Sequence, residues 1–217
     1  MPENADDCCL FRTPMGFIYG PKNERAELGG TALEVLTGAY YLGRVDVQAG
    51  DIVMDLGAHL GTFTKFALRR GAKHVIAVEA NATNASCLRQ TFASEIEAKR
   101  VTIVESPVWS TQRLVGFEGR SLTGHIIENA AGQRMTTTID QIISDLGVER
   151  LDFMKADIEG AERHALCGAE QTISRFHPKW AFCVYHYPDD PQVLSEFARK
   201  HGYRTHFDGS GRYIYCW

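Results

Sequence analysis

The stretch VMDLGAHLGTFT, residues 53–64, places Asp55 at the end of an apolar run and then Gly57 and Gly61, four positions apart. Glycine in such a loop lets a ligand approach the backbone, and a helix opening near Leu60 offers unpaired N–H groups. Glu79 follows Gly57 by 22 residues, close to the roughly 20-residue offset at which an acid grips the hydroxyls of an adenosine ribose. Two carboxylate oxygens can accept from two vicinal hydroxyls. The loop has no G-x-G, however, and puts Ala58 and His59 where close approach to a pyrophosphate would want glycine. A carboxylate fixed beside it repels a pyrophosphate and attracts an ammonium or a sulfonium. Together these preferences describe S-adenosylmethionine, which has an adenosine, a cationic end and no phosphate. The competing structural reading makes Asp55 a helix-capping or solvated residue.

A second group lies further along. Asp157 and Glu159 close LDFMKADIE (151–159), and His186 stands near the end of AFCVYHY (181–187), followed by Asp189 and Asp190. Residues two apart share a side of a strand, so both carboxylates face alike if extended geometry persists through Ile158. Methyl transfer from a sulfonium to an alcohol needs positioning and the removal of a hydroxyl proton near neutral pH. His186 is the first choice of base, set against a structural, hydrogen-bonded histidine, with Asp157 and Glu159 completing the catalytic set. Asp157, Glu159 and His186 would also suit Mg or Mn, but no ligand spacing demands an ion and none is expected. Glu162 reads as a cap of the next helix, where acids are stabilised by its dipole. Ala80 after Glu79, and Glu105 with Ser106 after the third strand, complete the cofactor rim.

These residues need a scaffold that brings strand ends together. From Asp51 short apolar runs alternate with helical stretches: DIVMDL as strand, 60–70 as helix, HVIAVEA as strand, 81–98 as helix, RVTIVES as strand. After an irregular insertion at 106–138 and a helix at 139–146, the alternation resumes with LDFMKADIE, a helix at 161–175, KWAFCVYHY and a helix at 190–201. Strands without a polar face belong to a parallel sheet covered on both sides. The spacing predicts a Rossmann-like α/β fold, with ligands bound beyond the carboxyl ends of the strands. Two alternating aromatic runs around Asp208-Gly209-Ser210-Gly211 predict a closing antiparallel hairpin. Upstream, a short strand or hairpin around TPMGFIYG and a helix from Thr31 to about Leu42 form a cap segment, 1–45, on the domain 46–217. Phe11, Phe17, Tyr19, Tyr40 and Tyr41 of that cap either line an acceptor pocket or belong to the core.

The chain has 217 residues, 44% of them hydrophobic, enough to bury the core of one domain. With 23 Lys+Arg against 27 Asp+Glu and a net charge of -4, it has no electrostatic footprint for nucleic acid. No apolar run reaches the roughly 20 residues of a membrane span, and MPENADDCCLFRTP lacks the order of a signal peptide. A cytoplasmic protein acting on a small molecule is the expectation. The six cysteines show no C-x-x-C and are expected as free thiols.

Three segments resemble motifs of the FkbM family of class I S-adenosylmethionine-dependent methyltransferases: GDIVMDLGAHLGTFTKFAL, VIAVEANATNASCLRQ and DFMKADIEGAERHALCGA. The third is the most discriminating, because its D-x-E-G-x-E run followed by Gly-Ala is not shared by methyltransferases at large. The resemblance runs from about residue 40 to 187. Ala80 stands where the family commonly has proline and His59 where asparagine is frequent. The resemblance implies a seven-stranded, mostly parallel sheet whose last strand is antiparallel. It also implies methyl transfer, usually to a hydroxyl of a sugar, polyketide or other small metabolite, with Asp157 near the methionyl end of the donor and Glu159 towards the acceptor. Two other functions compete on such a sheet: an NAD-type oxidoreductase, and a non-catalytic module that binds S-adenosylmethionine.

Overall fold

In the computed structural model, residues 8–22, 25–41, 43–118, 124–127 and 134–217 are described. Seven strands form the central sheet: β3 (Ile52–Leu56), β4 (His74–Glu79), β5 (Val101–Glu105), β9 (Phe153–Ala156), β10 (Lys179–Cys183), β11 (Thr205–Phe207) and β12 (Tyr213–Cys216). Their order is β11-β12-β10-β9-β3-β4-β5. Parallel pairing joins β5 to β4, β4 to β3, β3 to β9 and β9 to β10, while β12 runs antiparallel to both β10 and β11. This is the wound, mostly parallel sheet with an antiparallel terminal hairpin that the alternation and the turn residues predict, with the seven strands that the resemblance implies. Chain order reverses at β3, so a crevice opens between the ends of β3 and β9, where open α/β sheets take their ligands.

Burial explains the strand composition. Residues 53–56 of β3, 75–79 of β4 and all of β9 are buried, with one apolar cluster on each side. One contains Phe63, Phe66, Phe92 and Phe153; the other contains Trp180, Phe182, Ile142 and Leu194. Helix α2 (Thr62–Arg69) packs Phe63, Phe66 and Ala67 inward. Helix α3 (Ala82–Thr91) starts where the Asn81 side chain accepts the N–H groups of Thr83 and Asn84. Helix α5 (Ile139–Asp145) starts where Thr138 accepts that of Gln141.

Several boundaries differ from those read off the sequence. The helix expected at 81–98 breaks at Phe92, beyond which α4 (Ala93–Glu97) begins; Phe92 is fully buried with φ -110 and ψ 23. The helix at 161–175 divides into α6 (Glu162–Cys167) and α7 (Glu170–Phe176) around Gly168, where an added Cβ would meet the Trp109 carbonyl at 2.5 Å. The cap helix α1 spans Arg25–Leu36 instead of Thr31–Leu42, and Leu42 lies outside the described residues. Before it, β1 (Cys8–Thr13) and β2 (Gly16–Pro21) pair as the expected hairpin. The described parts of the 106–138 insertion form a small antiparallel sheet, β7 (His125–Ile127), β6 (Leu114–Glu118) and β8 (Arg134–Met135); 119–123 and 128–133 lie outside.

The cysteines correct the expectation of free thiols. Cys8 and Cys87 form a disulfide with Cα atoms 6.0 Å apart, because the β1–β2 hairpin packs on α3 and brings together residues 79 apart in sequence. Cys9, Cys167, Cys183 and Cys216 are free. Among the described residues, no helix is long and apolar enough to cross a membrane.

Candidate active site

A cleft of about 860 Å³, counting its solvent-open mouth, lies at the reversal point of the sheet. Gly57, Ala58, His59, Glu79, Ala80 and Ser106 line it, and Asp157 and Glu159 join them from the end of β9. Thr31, Glu34, Val35 and Tyr40 close one side from the cap segment. Most of the rim read from sequence therefore converges on one space. Asp55, Gly61, Glu105 and His186 are not in its wall, and each has a physical reason to be elsewhere.

Asp55 is fully buried. Its Oδ1 lies 3.2 Å from Lys155 Nζ, and its Oδ2 accepts the Thr64 hydroxyl at 2.7 Å. Lys155 also donates to the carbonyls of Gly57, at 2.8 Å, and Leu56, at 3.3 Å. The charge expected to face a cationic ligand is thus spent within the fold, and what it organises is the loop backbone. The glycines behave similarly. An added Cβ on Gly57 would lie 1.9 Å from the Asp157 carbonyl oxygen, and one on Gly61 would lie 2.4 Å from the Phe92 ring. Both have positive φ, 74 and 88, so it is the chain's own close packing and turn geometry that require glycine here. Glu105 pairs with Arg89 at 2.9 Å and Arg134 at 3.8 Å, outside the cleft.

Glu79 does take the expected position. It is 7% exposed, and its two oxygens accept the backbone N–H groups of His59 and Asn81, each at 2.7 Å. Burial pushes its pKa above the ordinary carboxylate value, a shift that the backbone bonds at Asn81 and His59 only partly offset. Each oxygen keeps a lone pair beyond the one used, enough for two hydroxyl donors. At the other end, Asp157 Oδ2 accepts from Tyr40 at 2.8 Å and Oδ1 from Tyr185 at 3.2 Å. Burial alone raises the pKa of Asp157, but Lys155, the Tyr40 hydroxyl and His186 outweigh it and hold the carboxyl below its ordinary value. The wall thus has a ribose-sized acceptor at one end and a persistent negative charge at the other, which suits an adenosyl sulfonium.

Extended geometry does not continue through Ile158. The strand stops at Ala156, and Glu159 turns left-handed with φ 55 before Gly160 at φ 94. Asp157 and Glu159 still come together, because each has a carboxylate oxygen 3.7 Å from His186 Nε2. On the other side of the ring, Nδ1 lies 3.3 Å from Glu162 Oε1. Burial disfavours the imidazolium, but Glu162 first, then Asp157 and Glu159, outweigh it and raise the pKa to about 9. The ring expected as base is therefore protonated at neutral pH. Asp189 and Asp190 are engaged elsewhere, both by Arg163.

Two contributors, Lys155 and Glu162 in its actual role, escaped the sequence reading, and one of the cap aromatics named there, Tyr40, is singled out by the structure. Lys155 sits inside an apolar strand with both faces covered, and a lysine there demands a buried acid; that was the available signal. Glu162, read as a helix cap, is fully buried and holds the loop, accepting from the N–H groups of Ile158 at 2.8 Å and Gly160 at 3.1 Å. Tyr40, one of five cap aromatics, is the one in the cleft wall. Phe17 is 59% exposed, and Phe11, Tyr19 and Tyr41 pack against the core.

Comparison with known proteins agrees with this architecture. The family model of the methyltransferase FkbM domain matches residues 55–205. The crystal structure of methyltransferase FkbM from Methylobacillus flagellatus KT superposes with a TM-score of 0.58 at 21% identity, over 78% of this chain and 44% of that one. Trm5b from Pyrococcus abyssi gives 0.50 at 15% identity, over 97% and 55%. A curated relative, the probable histone-arginine methyltransferase 1.3 of Arabidopsis thaliana, is 35% identical over 77 residues, 34% of this chain and 14% of that protein. The chain thus spans a small part of its curated relative and under half of the FkbM structure. The two structural likenesses speak for the fold, whereas the family match runs from Asp55 past β10 and covers well over half of the sequence: the chain belongs to the FkbM methyltransferase family.

Proposed function

We propose that this protein is an S-adenosylmethionine-dependent methyltransferase that methylates a hydroxyl oxygen of a small metabolite. The observation that carries the reading is the pairing of Glu79 and Asp157 across one cleft. One is fixed by two backbone N–H groups, and the other is held below the ordinary carboxylate pKa. Glu79 receives the ribose hydroxyls, with Gly57, Ala58, His59, Ala80 and Ser106 around the adenosyl portion. Asp157, rather than Asp55, faces the cationic end. The donor supplies a methyl group already activated on sulfur.

The chain's remaining task is to orient the acceptor and take its proton. Glu159, with a side chain 36% exposed, is the carboxylate of the cluster that reaches the open side. It accepts the hydroxyl proton as the oxygen attacks. His186 positions Asp157 and Glu159 by lying between them. The cap segment, through Tyr40 and α1, closes the acceptor side. The net charge of -4, with no basic patch along the sequence, favours a small molecule over nucleic acid.

The test is calorimetric titration of S-adenosylmethionine, S-adenosylhomocysteine and NAD, followed by a methyl-transfer screen with the bound donor. Binding of the first two and methylation of hydroxylated acceptors is expected. NAD binding without either would turn the reading over to an oxidoreductase, and donor binding without any turnover to a binding module.

A further inference from the structure

Tyr40 stands in the cleft wall, and the fold grips its ring from several sides. The ring meets Phe63 edge to face with centroids 5.5 Å apart, meets Tyr213 in the same way at 5.3 Å, and has Lys155 Nζ 5.2 Å from its centroid. These contacts fix the ring and carry its hydroxyl to Asp157, where it donates to Oδ2 at 2.8 Å. Charge settles the direction of that bond. Burial alone would raise the Asp157 pKa, but Lys155 and its other partners hold the carboxylate ionised, so it accepts. Burial and then Asp157 push the Tyr40 pKa up, so the phenol keeps its proton.

A hydroxyl that donates once still has two acceptor lone pairs. Cys183 Sγ, 3.8 Å from the Tyr40 oxygen, engages one of them at most, as a weak thiol donor. Among the described residues no other group donates to that oxygen. Tyr185 makes an instructive contrast. It donates to the other Asp157 oxygen at 3.2 Å, but it is not in the cleft wall, and its ring lies under the Arg212 guanidinium. Two tyrosines thus restrain one carboxylate, and Tyr40 is the one placed to touch a ligand as well.

Building on the reading of the cleft as a methyl-transfer site with the sulfonium beside Asp157, we propose that the Tyr40 hydroxyl oxygen receives the C–H groups of the sulfonium methyl and aligns that methyl with the acceptor. Carbon bonded to a sulfonium is electron-poor, so its C–H groups donate to oxygen more strongly than ordinary ones. The hydrogen bond to Asp157 polarises the Tyr40 oxygen and makes it the better acceptor. S-adenosylhomocysteine has neither the charge on sulfur nor the methyl group, although it shares the adenosine and the amino-acid tail. Tyr40 therefore recognises the reactive end of the donor, and no bond to Tyr40 forms or breaks during transfer.

The experiment measures calorimetric binding of S-adenosylmethionine and S-adenosylhomocysteine to the full wild-type chain, Tyr40→Phe and Tyr185→Phe, with circular dichroism confirming that each is folded. Tyr40→Phe is expected to lose about three- to fivefold more affinity for S-adenosylmethionine than for S-adenosylhomocysteine. Tyr185→Phe, which loosens Asp157 without touching the ligand, should keep the wild-type ratio of the two affinities. A merely structural Tyr40 would weaken both ligands alike. An unmoved ratio in Tyr40→Phe, or the same shift in Tyr185→Phe, would overturn the assignment. If Tyr40→Phe does not fold, magnetic resonance of the methyl-labelled donor on the wild-type chain decides: a downfield methyl proton signal is expected, and an unshifted one overturns it. The two readings fail separately. A folded wild-type chain that binds neither ligand removes the methyl-transfer reading and this inference with it, whereas binding of both with an unmoved ratio in Tyr40→Phe removes the role of Tyr40 alone.

Discussion

Lys155 Nζ lies 3.2 Å from Asp55 Oδ1, with the two side chains 5% and 0% exposed. This buried pair fixes the cleft from behind, since the same ammonium donates to the Gly57 carbonyl and its charge helps keep Asp157 ionised. Removing one partner of a buried pair leaves the other uncompensated, at a cost of about 3–5 kcal/mol. Lys155→Met and Asp55→Asn are each expected to lose that much in chemical denaturation. A loss under about 1 kcal/mol would show that the pair does not hold the loop.

Gly57→Ala tests whether the glycine serves the chain or the ligand. The new Cβ would collide with the Asp157 carbonyl and sit at positive φ, so destabilisation above about 2 kcal/mol is expected even without ligand. Wild-type stability with lost donor affinity would restore the reading of direct ligand approach.

How much of this was legible in the sequence depends on how local each signal is. The strand ends at Asp55, Glu79 and Asp157 follow from apolar runs, and the β11–β12 hairpin from its turn residues. Pairings across the fold were not legible. The Asp55–Lys155 pair, the Cys8–Cys87 disulfide and the three acids around His186 each join separate elements, and spacing along one strand says nothing of its neighbour. Gly57 and Gly61 were singled out for ligand approach, and the structure also requires both for packing: a glycine required by packing against Asp157 or Phe92 looks the same in sequence as one required by a ligand.

Donor affinity should depend on pH through Glu79. Burial raises its pKa, so as pH falls it protonates before an ordinary carboxylate with pKa of about 4.3 would, and a protonated carboxyl loses acceptor capacity. Asp157, held low, stays charged over that range. The dissociation constant for S-adenosylhomocysteine is expected to rise as pH falls from neutral, beginning above the pH at which an ordinary carboxylate would protonate, in line with loss of the Glu79 charge. A flat profile down to pH 4 would remove Glu79 from the site.

Glu159→Gln keeps the size of the side chain and removes its basicity. Turnover should fall about 10²–10⁴-fold, the usual share of a general base, with donor affinity held within a few fold. Undiminished turnover would return the base to another group of the cluster.

The most direct test of the central claim compares S-adenosylhomocysteine binding by calorimetry in the wild-type chain, Glu79→Ala and Glu105→Ala, two acids at the ends of neighbouring strands. The account predicts that affinity falls at least about tenfold in Glu79→Ala, the equivalent of about 1.4 kcal/mol, and is unchanged in Glu105→Ala, whose carboxylate pairs with Arg89 outside the cleft. Equal affinities in all three proteins, or a loss confined to Glu105→Ala, would contradict it.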